Sequence, residues 1–168
     1  LIQEYKGIKP KIHPNTYIHE TAVIIGDVEI EEGVSIWPYV VIRGDSNKII
    51  IGKNTNIQDG CILHADTDRP LIVGEGVTVG HKAILHACTI ESDTLIGMGS
   101  TVLDYAVIKE GSIVGAGSLV APGKVYEKNS LIVGVPGKMV RETTPEEREN
   151  IKKSAANYLK TAHQYNCR

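Results

Sequence analysis

Three histidines, His64, His81 and His86, lie close together in the middle of the chain, preceded by Arg43-Gly44-Asp45 and Asn56-Ile57-Gln58-Asp59. Imidazole exchanges its proton nearest neutrality and is the commonest side-chain ligand of transition metals, so such a trio suits general-base or metal chemistry. By contrast Cys61, Cys88 and Cys167 contain no CxxC pair. Neither a disulfide framework nor a thiolate cage is expected, and a reducing, cytoplasmic setting is the default. His13, His19 and His163 stand apart from the trio and read as surface residues. What the trio can do depends on which elements hold its members, and on which side.

Composition limits those elements. The chain has 168 residues, 42% of them apolar but only 5% aromatic, with no Phe and one Trp, so β-branched side chains must fill the core. A net charge of −2 without a basic block disfavours nucleic acid, and no apolar run is long enough to span a membrane. Leu1 in place of an initiator Met points to residues lost from the N-terminus. An aliphatic residue recurs at every sixth position, in runs such as Ile12, Ile18, Ile24, Ile30, Ile36 and Ile42, then Ile90, Ile96, Val102, Ile108, Val114 and Val120. Four residues after most anchors stands a small or β-branched one, as at Thr16, Ala22, Cys61, Ala83, Ser100 and Ser118. A period of six suits short strands joined by tight corners, stacked because none can bury its face alone. It resembles the hexapeptide repeat of the left-handed parallel β-helix, an all-β fold in which three repeats make one triangular coil. The resemblance covers about residues 10–140.

Breaks in the period fall beside the histidines. Ile42 to Ile51 and Leu63 to Val73 are longer than one repeat, and Leu85 to Ile90 is shorter. The extra residues are expected to form loops at corners. With three repeats to a coil, Arg43, His64 and His86 each follow an inward anchor on one face and form an outward column. Asp59 and His81 share the second position after the anchor on another face, with Gln58 beside them. The two histidines of the column lie one rung apart, roughly 5 Å, and can share a metal. His81 reaches that metal only from a neighbouring subunit, so the spacing predicts a homotrimer.

Past the prism, Thr144-Pro145-Glu146-Glu147 has the form of a capping box with Pro at the first helical position. Ile151, Ala155, Tyr158, Ala162 and Tyr165 then mark one apolar stripe. Within 144–166, twenty-one helical residues from Pro145 to Tyr165 would make a helix about 31 Å long, matching the prism, which could lie back along one face.

Within the β-helix families, Arg43 to Asp45, Asn56 to Asp59 and the three histidines resemble the γ-class carbonic anhydrases. The resemblance implies Zn²⁺ held by His64, His81 and His86 between subunits, with Fe²⁺ or Co²⁺ also suited to the donors. It implies reversible hydration of CO₂ to bicarbonate by a metal-bound hydroxide, with Gln58 contacting the bound solvent or bicarbonate. It makes Arg43, Asp45 and Asp59 ion-pairing residues between subunits, and Tyr158 or Asn157 of the helix a residue near the metal. The long acidic proton-shuttle loop of active members is here only Ala65 to Pro70, with Asp66 and Asp68 as its carboxylates. Two alternatives stay open. Gly134-Val135-Pro136-Gly137-Lys138 resembles the ending of hexapeptide acyltransferases, which use one His as general base and bind acyl-CoA between prisms. The other is a non-catalytic trimeric scaffold with a structural metal.

Overall fold

The sixfold anchors stand in register on three faces of a prism. A computed structural model describes residues 1–166, and Cys167 lies outside the described residues. Ile24, Ile42, Leu63, Leu85, Val102 and Val120 stack on the first face. Ile18, Ile36, Ile57, Val79, Ile96, Val114 and Ile132 stack on the second. Ile12, Ile30, Ile51, Val73, Ile90, Ile108 and Tyr126 stack on the third. The fold is the left-handed parallel β-helix, with one continuous aliphatic core inside it. Burying each of these Ile or Leu side chains contributes roughly 1.5–3 kcal/mol. The small companions fill the corners, and their hydroxyls reach carbonyls there: Thr55 Oγ1 donates to Gly74 O at 2.7 Å and Ser100 Oγ to Gly115 O at 2.9 Å.

The two insertions behave differently. Instead of a corner loop, Arg43 to Asp45 lie inside an unbroken strand, Val41–Ile51, that turns the corner from first to third face. It does so because Val23–Ile30 turns the same corner beside it and supplies ladder partners, with a register shift between Gly26 and Val28. Asp66 to Arg69 do form a projecting turn, closed by Asp66 N to Arg69 O at 3.0 Å and Arg69 N to Asp66 O at 3.2 Å. Pairing also begins earlier than residue 10, since Ile2 and Gln3 pair with Ile24 and Ile25. At the other end Lys138–Glu142 folds back antiparallel on Ser130–Val133.

The helix Pro145–Asn166 runs for 22 residues. Thr144 Oγ1 accepts from the Glu147 N–H at 3.1 Å while Glu147 Oε2 accepts from the Thr144 N–H at 2.8 Å, a closed capping box. Ile151, Ala155 and Ala162 are buried. The helix packs on Tyr17–Ile18, Ser35–Ile36, Asn56–Ile57 and Thr78–Val79, and so runs back along the second face. Among the described residues no helix is long and apolar enough to cross a membrane.

Candidate functional site

On the first face the ladder pairs Arg43 with His64 and His64 with His86. Their side chains continue the column as a string of polar contacts. Nδ1 of His64 lies 3.1 Å from Nε2 of His86, and Nε2 of His64 lies 2.9 Å from Asp45 Oδ1. Nδ1 of His86 meets the Asp104 carboxylate, and the Arg43 guanidinium bonds the other oxygen of Asp45. Partial burial pushes the Asp45 carboxyl up, but the His64 and Arg43 hydrogen bonds outweigh it and hold the group below its ordinary value. Asp104 is the member that sequence reasoning missed. Its signal was positional: it stands two residues after the anchor Val102, one coil beyond His86 on the same face.

On the second face His81 stands with Asp59, whose Oδ2 is 2.9 Å from Nδ1. This fixes the ring and leaves Nε2 without a hydrogen-bond partner among the described residues. The backbone N–H of His81 donates to Gln58 Oε1 at 3.2 Å, and Gln58 Nε2 donates to Asn56 Oδ1 at 3.1 Å. Asn56 in turn donates to Thr78 Oγ1 at 2.9 Å. The buried Gln58 carboxamide is therefore engaged at both ends within the chain and acts as a brace for His81. Arg43, Asp45 and Asp59 likewise have partners inside the chain: Arg43 with Asp45, Asp45 with His64, Asp59 with His81.

A groove of about 380 Å³ runs from His81 along the second face, under Ser154 and Tyr158 of the helix. Its floor is the stack Gly80, Gly97 and Gly115. These positions exclude side chains: a Cβ on Gly97 would lie 2.5 Å from the Ala116 nitrogen, and one on Gly80 2.8 Å from the Met98 nitrogen. Burial and the nearby Asp59 charge push the Tyr158 hydroxyl up from its ordinary value. Asn157 is exposed and does not line the groove. Asp66 and Asp68 sit in the projecting turn; Asp68 hydrogen-bonds the Tyr105 hydroxyl and raises it. Burial pushes the Cys61 and Cys88 thiols up to about 12, so both are inert core residues.

Comparison with known proteins places this architecture. The bacterial transferase hexapeptide (six repeats) family profile matches residues 9–44. The carnitine operon protein CaiE of Escherichia coli K12 is 46% identical over 143 residues, 85% of this chain and 73% of that protein. A hexapeptide transferase family protein from Anaplasma phagocytophilum superposes with a TM-score of 0.95 at 42% identity, covering 98% of each chain. A Bacillus cereus protein assigned provisionally as an acetyltransferase superposes at 0.96 with 46% identity, covering 98% of this chain and 95% of that one. The chain belongs to the hexapeptide-repeat family of left-handed β-helix proteins.

The family resemblance thus holds, while the activity inferred from it does not. The two solved structures above 40% identity carry transferase names, CaiE is named for the carnitine operon, and none of these names points to a zinc lyase that hydrates CO₂. His81 lies on another face from His64 and His86, and among the described residues of the single chain no three His, Cys, Asp or Glu side chains come together as a metal-holding group.

Proposed function

We propose that the chain is an acyltransferase that moves an acyl group from acyl-CoA to a hydroxyl or amine, working as a homotrimer. The observation that carries this reading is His81, its Nδ1 held by Asp59 at 2.9 Å and its Nε2 open, at the head of a glycine-floored groove. A carboxylate on Nδ1 fixes the tautomer in which Nε2 accepts a proton. Nε2 then takes the proton of the acceptor hydroxyl or amine as that atom attacks the thioester carbonyl carbon. The C–S bond breaks, and the imidazolium returns its proton to the departing thiolate. Gly80, Gly97 and Gly115 offer an extended pantetheine arm a backbone surface without side chains, over two rungs or roughly 10 Å. Names among the relatives, hexapeptide transferase and acetyltransferase, support the same class.

The homotrimer is supported by the first face. Ile62 and Ile84 stack beside His64 and His86, each 40% exposed. A β-branched stripe next to a charged column suits a subunit interface, in which this first face would meet the groove-bearing second face of a neighbour.

A second reading concerns His64 and His86 and assigns His81 differently. Two imidazole nitrogens facing each other at 3.1 Å, each ring backed by a carboxylate, fit the donor pattern around a metal such as Zn²⁺, Fe²⁺ or Co²⁺. They are two ligands, and the third would come from another subunit, with His81 the candidate. The metal would then cross-link the trimer as a structural ion.

Release of free CoA thiol from acetyl-CoA, with a panel of amines and alcohols as acceptors, tests the first reading. His81→Ala should lower the rate by about 10²- to 10⁴-fold. Metal analysis of protein purified without added metal, before and after chelation, separates the two. Transfer that survives chelation supports the base. Metal lost on His81→Ala together with dissociation of the trimer supports the scaffold.

A further inference from the structure

We infer that a recess between the first coils and the end of the C-terminal helix binds an organic cation, a quaternary ammonium or alkylated amine head group. The recess has a volume of about 380 Å³ and is lined by Tyr17, Trp37, Tyr158, Tyr165, His19 and Asp59, among others. Its composition is unlike the rest of the molecule. The chain has seven Tyr, one Trp and no Phe, and the core inside the prism is aliphatic, yet the Trp and three of the Tyr pack together outside it and line this one recess.

The rings meet as walls. Trp37 stands at 79° to Tyr158 and 86° to Tyr165, with centroids 5.5 and 5.4 Å apart, and Tyr17 is tilted by 52° to Trp37. None of the four described ring pairs is stacked face to face, so these rings form no parallel slot for a flat heterocycle. Trp37 Nε1 donates to Ser35 Oγ at 3.0 Å, which fixes the indole and leaves it an aromatic surface without a free donor. Trp37 is 7% exposed and forms the floor, while Tyr165 at 45% forms the rim.

Charge selects the ligand. Aromatic faces carry negative quadrupole potential and attract cations, most strongly where water is excluded. Asp59, whose Oδ2 lies 2.9 Å from His81 Nδ1, adds a carboxylate, and among the described residues no Lys or Arg lines the recess. At His19, Nδ1 accepts from the Thr21 N–H at 3.2 Å, which places the proton of the neutral ring on Nε2. An anionic ligand would face the Asp59 carboxylate and the negative ring faces. A permanently charged alkylammonium needs no donor or acceptor from the protein and matches a site of rings plus one carboxylate. This inference does not depend on acyl transfer, because binding is read without acyl-CoA present.

The test uses the full chain and the single tryptophan, which reports from the floor of the recess. Choline is titrated against its uncharged isostere 3,3-dimethylbutan-1-ol, with tryptophan fluorescence and calorimetry as parallel readouts. The expected result is saturable binding of choline, with the neutral isostere weaker by about tenfold or more. Asp59→Asn, which keeps shape and removes charge, should weaken choline by about fivefold or more, and Tyr165→Leu should do the same with helix content unchanged by circular dichroism. Equal binding of the two ligands would overturn the inference and leave a generic apolar recess. Two flat readouts at tens of millimolar choline, or undiminished affinity in Asp59→Asn, would overturn it as well.

Discussion

His64 and His86 stand one coil apart with Nδ1 of the first 3.1 Å from Nε2 of the second, and the carboxylates of Asp45 and Asp104 close the two ends of the pair. The four side chains form one interaction unit, so removing either ring breaks the same link. His86→Ala should lower the unfolding free energy by about 1–3 kcal/mol, since the bonds involve charged partners. The double variant His64→Ala/His86→Ala should cost clearly less than the sum of the singles, because both remove a shared contact. Urea denaturation checks this, and strict additivity would show two independent surface residues.

The apolar stripe beside that pair is the face proposed for the subunit contact. Ile62→Glu or Ile84→Glu places a charge on a surface position that is 40% exposed in the single chain. Neither change touches the core, so the isolated fold should survive with β signal intact. Light scattering should show the proposed homotrimer for the unaltered chain and smaller species for either variant, and an unchanged mass would remove this face from the interface.

Glu147 makes the helix start pH-sensitive. The bidentate Arg141 hydrogen bonds, then the Thr144 backbone N–H, lower its carboxyl from 4.5 to about 2. Since the folded value lies below the unfolded one, the stabilisation is complete above pH 4.5 and is lost as pH falls from there toward 2. The wild-type helix signal should therefore weaken over that window, and Glu147→Gln should flatten the dependence. Thr144→Ala should cost about 1 kcal/mol at neutral pH by removing the cap.

Two glycines of the same prism should respond differently to alanine. At Gly97 a Cβ would sit 2.5 Å from the Ala116 nitrogen and 2.6 Å from the Val114 oxygen, backbone atoms that cannot swing away. Gly117 has φ of +68° and nothing within 4 Å of an added Cβ, so only the left-handed backbone is penalised, by about 1–2 kcal/mol. Gly97→Ala should be the more destabilising in denaturant melts and should also impair acyl-CoA binding. A larger loss at Gly117 would contradict the close stacking of the groove floor.

Much of this architecture is written in the period of the chain. Because every sixth side chain must point inward, numbering alone put Arg43, His64 and His86 in one column and set Asp59 and His81 on a different face, as the ladders show. The capping box at Thr144 and Glu147 is equally local, since both partners lie within one helical turn. Asp104 is not local: it closes on His86 across a full coil, and no short motif marks it. Nor does the period show that Val41–Ile51 continues as strand through its insertion, which depends on the ladder partners of Val23–Ile30. The glycine-floored groove and the ring-lined recess arise only when the helix settles on the second face and brings Tyr158 and Tyr165 to residues far away in sequence. Repeat spacing states which way a side chain leaves the backbone, whereas its partners are set by what packs against it from distant parts of the chain.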